Sequence, residues 1–320
     1  MGGAPTTLFG MGFDDLRDDI YFNAEFVALH NRPYPIDRIE SDGFVHGAGL
    51  RPVPGSSRQD LWTPHGYGGP LARDEAALRE GLAGWRQRQA ENGRIAEFIR
   101  FHPCVDPEPF SDDFDMIAFN RATVMVDLSV AAERRREAYS QSTRRFLRRA
   151  EQTLTVRRLA SVEWQVFKAL YDGMLDRHSA AAQYRLDDAY FTDLLAKPWC
   201  VAWVAEFNGQ PAAASCFLLT RSPVAHYHLG GAVDAGLRTN AQFLLFETAF
   251  DHAAAAGCRW MHLGGGRTTA ADDTLYLFKK RFSDISARFF IGGLVHDRDA
   301  YQQLGGARGG AFLGYRGAAA

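Results

Sequence analysis

The sequence predicts an α/β protein of two domains, each a mixed, mostly antiparallel sheet with flanking helices. Three observations lead there. The chain has 320 residues, too many for one ordinary small domain and enough for two of similar size. In both halves, strand-like runs broken by turn residues alternate with apolar stripes at helical spacing. Asn208-Gly209 lies between the apolar runs 200–207 and 212–219, a strong signal for an antiparallel hairpin.

In the first half, residues 24–30 form a short amphipathic stretch, and strands are expected at 36–39, 43–50 and 59–63. The glycine loop His65-Gly66-Tyr67-Gly68-Gly69-Pro70 follows. Asp74 can cap a helix whose Leu78, Leu82 and Trp85 share one face, and Asn92-Gly93 stops it. Residues 95–101 and 123–128 read as strands. Residues 130–151 read as one long linking helix, with Tyr139, Thr143, Phe146 and Ala150 on its inner stripe. The division between domains is placed at its end, giving 1–150 and 151–295, with 296–320 free to join the first.

The second half opens with helices at 162–177 and 187–195, followed by the hairpin and a strand at 224–230. Thr239 and Gln242 have capping-box spacing before a helix that buries Phe243, Phe246 and Phe250 and ends at Gly257. An apolar strand at 259–263 then runs into Gly264-Gly265-Gly266. Glycines let a backbone approach a ligand closely, and a helix at 274–282 beside them offers free N–H groups. A strand at 286–294 completes the domain. The tail 305–320, rich in glycine and alanine, is expected to be mobile.

Composition excludes several classes. A formal net charge of −2 means that any nucleic acid must be met by a local basic patch. Cys104, Cys200, Cys216 and Cys258 are widely spaced without metal-ligand spacing, and are expected as buried, reduced thiols. Residues 1–10 lack a basic start and an apolar stretch, so no signal peptide is expected. No apolar run approaches the ~20 residues of a membrane span. A soluble, cytoplasmic protein is the expectation. No Gly-x-Ser-x-Gly elbow is present and no cysteine has an evident activating neighbour, which argues against a hydrolase built on a nucleophilic triad.

Three stretches carry wording as well as pattern: His226-Tyr227-His228-Leu229-Gly230-Gly231-Ala232, Leu263-Gly264-Gly265-Gly266, and Leu275-Tyr276-Leu277-Phe278-Lys279-Lys280-Arg281-Phe282. Together with the element order of residues 162–294, they resemble the FemAB-like branch of the GNAT acyltransferase superfamily. That branch holds the Fem-type aminoacyltransferases and related acetyltransferase domains. Residues 60–70 and 97–103 look like the matching N-terminal pieces, so the resemblance spans roughly 20–295. It implies two tandem GNAT-like domains, the first a degenerate copy in which Gly66–Gly69 takes the slot of Gly230-Gly231.

The resemblance further implies transfer of an aminoacyl group from aminoacyl-tRNA to an amine. The acceptor would be a cell-wall precursor or a peptide or nucleoside antibiotic intermediate. No bound cofactor is implied, and acyl-CoA is the alternative donor. Acyl-CoA-binding relatives carry an Arg/Gln-x-x-Gly-x-Gly/Ala loop. Here that position reads Gly236-Leu237-Arg238-Thr239-Asn240-Ala241-Gln242, with Asn240 where a glycine is expected. A third possibility is an inactive GNAT-like pair that binds tRNA or another partner.

Candidate site residues follow. Lys279 matches the lysine of the family's Phe-Lys motif and is the candidate for stabilising a developing oxyanion. The alternative is that Lys279 and Lys280 form the solvated face of an amphipathic helix. His226 and His228 alternate along a strand and share a face, where either could take a proton from a reacting amine. Alternatively, they are polar groups satisfied by the neighbouring strand. Two histidines without a third ligand make no zinc site, and no metal is expected. Phe278, Tyr227, Tyr276, Gly265 and Arg281 are expected around the substrate, as are Tyr67, Gly68 and Gly69. Asp272 and Asp273 read as helix caps rather than as a general base. Residues 133–158 hold nine arginines against three glutamates, a balance of +6. Arg144, Arg145, Arg148 and Arg149, with Arg238 beside a helix start, are the candidates for tRNA or phosphate binding. An exposed, arginine-biased linker helix is the plain alternative.

Overall fold

A computed structural model of the protein describes residues 8–64, 66–181, 184–307 and 310–319, so His65 of the glycine loop lies outside the described residues. The chain opens with α1 (Phe13–Leu16), α2 (Ala24–Asn31), β1 (Ile36–Glu40), β2 (Phe44–Pro52), β3 (Gln59–Trp62), β4 (Leu71–Ala72), α3 (Glu75–Glu91), β5 (Ala96–Arg100) and β6 (Met116–Asp127). It continues through α4 (Ala132–Glu137), α5 (Gln141–Thr153), β7 (Thr155–Arg158), α6 (Trp164–Arg177), α7 (Asp188–Leu195), β8 (Cys200–Phe207), β9 (Gln210–Leu218) and β10 (Val224–Ala232). Last come α8 (Asp234–Arg238), α9 (Ala241–Ala255), β11 (Trp260–Gly264), α10 (Thr274–Lys279), β12 (Ser286–Val295) and α11 (Arg298–Gln303).

These elements form two compact units, one of Met1–Ala122 with Ala287–Ala320, the other of Thr123–Ser286. The units therefore part inside β6 and again at the start of β12, whereas the sequence reading divided the chain at 150/151 and at 295/296, with the tail free to join the first domain. The reason is packing. Helix α5, read as a linker, buries Leu147 with Phe243 and Phe246 of α9, and Ala150 with Ala241 and Leu245. Strand β12 pairs antiparallel with β5, placing Ile291 opposite Arg100.

In the first unit the strand order is β1-β2-β3-β5-β12-β6, with β4 paired to β2. Only β3 and β5 run parallel in the registers resolved there. Helix α3, capped by Asp74 on the Ala77 N–H, packs Leu78, Leu82 and Trp85 against Phe44, Leu61, Ile99 and Phe290. The tail covers other core residues of this unit. Leu313 is buried among Val53, Ile95 and Ala96, with Tyr301, Phe312 and Tyr315 packed around it. Tyr315 Oη and Arg316 Nε donate to the buried Asp60 carboxylate at 2.9 and 2.8 Å. The tail is thus docked along 312–316, where composition suggested mobility, because Phe312, Leu313, Tyr315 and Arg316 each find partners.

In the second unit the order is β6-β11-β10-β9-β8-β7. The hairpin at Asn208-Gly209 is present, with both residues at positive φ, as a tight two-residue turn requires. Strand β10 runs parallel to β11 only through Val224, Ala225 and His226. Beyond that it pairs with β9 alone, and a bulge displaces His228 from the ladder. Phe243, Phe246 and Phe250 of α9 pack on Met261, Leu263 and Phe282. Helix α6 meets β10 at Gly231, where a Cβ would overlap the Leu170 carbonyl.

Two local expectations are corrected. Residues 130–151 are two helices, α4 and α5. Ser140 ends the first run by accepting from the Thr143 N–H at 3.1 Å and so capping the second. The Thr239/Gln242 capping box does not form. Thr239 Oγ1 bonds back to the Ala235 carbonyl at 2.7 Å, and Gln242 Nε2 donates to Ser215 Oγ at 2.8 Å. Asn240, in the left-handed conformation at φ 60°, starts α9 instead. Asparagine is among the few non-glycine residues that tolerate that conformation, so the backbone bend survives the loss of the expected glycine.

Candidate active site

Strand β11 carries alternating Met261 and Leu263 into the α9 core, then ends at Gly264, whose φ of 76° turns the chain out of the sheet. The loop that follows is held by one side chain. Asp273 Oδ2 accepts from the N–H groups of Arg267 and Thr268 and from Thr268 Oγ1, each at 3.0 Å. Its Oδ1 accepts from the Leu275 and Tyr276 N–H groups at 2.9 and 3.0 Å, capping α10. A Cβ at Gly266 would overlap the Asp273 carboxyl, so the glycine is what lets the loop close on it. Burial opposes the Asp273 charge, but the hydrogen bonds from Tyr276, Thr268 and Arg267 outweigh it and hold the carboxyl down at about 2. The N–H groups that the sequence offered to a ligand at the start of α10 are therefore already occupied by the cap.

Helix α10 delivers Lys279 inward. The side chain is 5% exposed, so it is not part of a solvated face. Its Nζ donates to the Gly265 carbonyl at 2.7 Å and lies 5.5 Å from the centre of the Tyr227 ring. A buried ammonium requires such partners, because loss of hydration is costly and an aromatic face returns only part of it. Phe278 packs on Phe243, Phe246 and Phe282, with ring centroids 5.2, 5.9 and 5.7 Å away, and so belongs to the wall behind the lysine. Tyr276 Oη lies 3.3 Å from Ser286 Oγ. Arg281 is exposed and sits over Phe146 at 5.7 Å.

The histidines occupy the other face of β10. Tyr227 turns toward α9, 4.9 Å from Phe246, while His228 Nε2 meets Tyr190 Oη of α7 at 2.7 Å. His226 is buried and its Nδ1 lies 3.3 Å from Nδ1 of His262 on β11. Lys279, Gly265, Tyr227 and Phe278 are thus brought together, and His226 and His228 are grouped apart from them. Tyr190 and His262 were missed from the sequence. His262 could have been found as the polar residue interrupting the apolar alternation of β11; Tyr190 carried no spacing signal.

The remaining candidates fall elsewhere. Tyr67 is half-buried in the first unit, edge-on to Tyr21 at 5.2 Å and to Phe289 at 4.9 Å. Gly68 accepts from the His102 N–H at 2.8 Å, and Gly69, at φ 79°, is pressed against Ile99 and Phe101. Both glycines line a small cavity with Tyr21 and Phe22 inside the first unit. Of the arginine stripe, Arg144 is drawn aside to the end of α4, donating to the Glu137 and Tyr139 carbonyls at 2.7 Å. Arg145, Arg148 and Arg149 are exposed, as is Arg238 at the end of α8. All four cysteines are buried free thiols.

Residues 132–273 match the family model described as acetyltransferase (GNAT) domain. That match, on this sheet with its splayed β10 and β11, places the second unit in the GNAT fold class and supports a transferase of acyl or aminoacyl groups. Among solved structures, FemX is similar over 90% of this chain and 94% of its own, with a TM-score of 0.71 at 11% identity. The C-terminal domain of a putative lysylphosphatidylglycerol synthetase from Agrobacterium fabrum is similar over 93% of this chain and 95% of its own, with a TM-score of 0.58 at 15% identity. L-PGS from Bacillus licheniformis is similar over 87% and 88%, with a TM-score of 0.59 at 10% identity. No curated protein matches the sequence. The chain as a whole therefore has a FemX-like fold, and its second unit carries the GNAT domain match.

Proposed function

We propose that the protein transfers an aminoacyl group from aminoacyl-tRNA to an amine, forming an amide on a cell-wall precursor or on a peptide or nucleoside antibiotic intermediate. The observation that carries this reading is the buried Lys279 held at the Gly265 carbonyl behind a glycine turn. The likeness to FemX along nearly the whole chain supports it. So does a neighbour named as a putative lysylphosphatidylglycerol synthetase, whose named product is itself aminoacylated.

The reaction is direct aminolysis. The acceptor amine attacks the ester carbonyl, the C–N bond forms, and the C–O bond to the tRNA hydroxyl breaks as the amine's proton passes to the leaving oxygen. The acyl carbon is already activated, so positioning and charge stabilisation supply the catalysis and no covalent enzyme intermediate is needed. Lys279 is the group assigned to the developing oxyanion, from a site where burial strengthens its field. His228, held by Tyr190 Oη on the other face of β10 from Lys279, is assigned no part in that proton's passage.

One observation favours acyl-CoA as a second donor reading. Asn240 keeps a left-handed bend at the start of the fifteen-residue helix α9, whose first turn has no side-chain cap and so suits a phosphate. The test is product formation from purified protein with charged tRNA and, separately, with acyl-CoA, each with and without ribonuclease. Transfer from charged tRNA that ribonuclease abolishes is expected. Transfer from acyl-CoA alone would replace the tRNA reading, and binding without turnover on either donor would make the chain a binding module.

A further inference from the structure

Resting on the aminoacyl-tRNA reading and deepening it, we propose that the outer face of α5, together with the end of α10, is the surface on which the RNA docks. Arg145, Arg148 and Arg149 are exposed at i, i+3 and i+4 on α5, and Arg281 is exposed just past α10. The two helices meet at one ring. Arg145 lies 5.5 Å from the centre of Phe146, and Arg281 lies 5.7 Å from it. Phe146 in turn lies 5.5 Å from Phe243, and Phe243 lies 5.2 Å from Phe278, the neighbour of Lys279. The basic face is therefore continuous with the helix that carries the candidate catalytic lysine.

What marks this face is that its charge is left unneutralised. Among the described residues, none of these four arginines makes a salt bridge, nor do Arg134, Arg144 and Arg158 in the same stretch, whereas Arg135, Arg136 and Arg157 do. Arg135 reaches Asp251 at 3.0 Å, Arg136 reaches Glu247 at 2.8 Å, and Arg157 reaches both Glu163 and Glu206 at 2.8 Å. Of the acidic side chains in these stretches, Glu151 is engaged by Arg136 at 3.4 Å and Asp284 by Lys280 at 3.4 Å. In a chain of net charge −2, four unneutralised guanidiniums in one place create a local field that suits a polyanion. The exposed positions of α5 are Gln141, Arg145, Arg148, Arg149, Glu151, Gln152 and Thr153. None is apolar, so this helix has nothing to insert into a bilayer. Guanidinium groups this close to a ring also offer stacking faces to unpaired bases.

The experiment measures binding of uncharged bulk tRNA from 50 to 200 mM salt. Four phosphate contacts predict a slope of about −3 to −4 in log K against log salt. The pair Arg145→Glu/Arg149→Glu is expected to weaken binding at least about tenfold at low salt and to flatten that slope by about two units. Arg185→Glu, at an exposed arginine paired with Asp176 elsewhere on the second unit, is expected to bind as the parent. Unchanged melting of each variant confirms that the fold is retained. Variant and parent binding tRNA alike would overturn the proposal. So would a parent that binds phosphatidylglycerol–phosphatidylcholine vesicles but not tRNA. Salt-dependent binding without aminoacyl transfer would remove the transfer reading and leave the surface standing. Transfer whose KM for charged tRNA ignores the double substitution would remove the surface alone.

Discussion

Lys279 and Asp273 show how two side chains six positions apart divide the work of one loop. Asp273 gathers five hydrogen bonds and fixes where α10 begins; Lys279, one and a half turns later, is thereby pointed at the Gly265 carbonyl. Lys279→Met keeps the apolar stem and removes the charge. Turnover is expected to fall by about 10²–10³ with little change in KM, as for loss of one oxyanion donor, measured by steady-state kinetics on the active donor. Full turnover in that variant would show that the lysine only packs. Asp273→Ala is expected to cost about 1–2 kcal/mol by denaturant unfolding, the range for an N-cap. Its folded-state pKa is lowered, to about 2, so its contribution is present above the ordinary carboxylate range of about 4 and is lost as pH falls from about 4 toward 2. The difference in stability between the parent and Asp273→Ala should shrink across that window. From the sequence, Asp273 was legible as a cap but not as the anchor of 266–268, since three of its bonds run backward to a loop with no periodic signal.

At the scale of elements, the hairpin of β8 and β9 and the stripes of α3 and α9 were legible because local turn chemistry and apolar spacing agree there. The break between α4 and α5 was hidden. Helical propensity and arginine content run through it, and only the Ser140 cap marks the stop. The bulge at His228 was likewise invisible, because it depends on which strand takes the next ladder position. Gly230-Gly231 read as a motif, and the fold gives Gly231 a physical task, the close approach of α6 to β10. Gly231→Ala is expected to destabilise the second unit by about 1–3 kcal/mol, since the obstacle is helix backbone and not a movable side chain. Thermal unfolding of that variant beside Gly173→Ala, at a glycine with open space around it, separates the clash from any general effect of added side chain.

For the whole molecule, the chain returns to its first unit after completing the second, adding β12 to β5 and laying residues 312–316 against the unit's core. Asp60 is the clasp. Burial raises its pKa above the ordinary value against the pull of Arg316 and Tyr315, so its charged form depends on those partners. Arg316→Ala is expected to cost about 3–5 kcal/mol at neutral pH, the range for breaking a buried ion pair. Because the folded-state pKa is raised, the loss should diminish as pH is lowered and Asp60 takes up a proton. Denaturant midpoints at neutral and mildly acidic pH check both statements.

Fold class, the tandem arrangement and the Phe278-Lys279 helix were within reach of the sequence, because each is written in short-range pattern: hairpin residues, apolar periodicity and a contiguous motif. The unit boundary inside β6, the docking of the tail, the burial of Lys279 and its separation from His226 and His228 across β10 were not. Each depends on which distant surfaces come together, and side-chain burial is a property of the assembled neighbours, not of the segment that bears it.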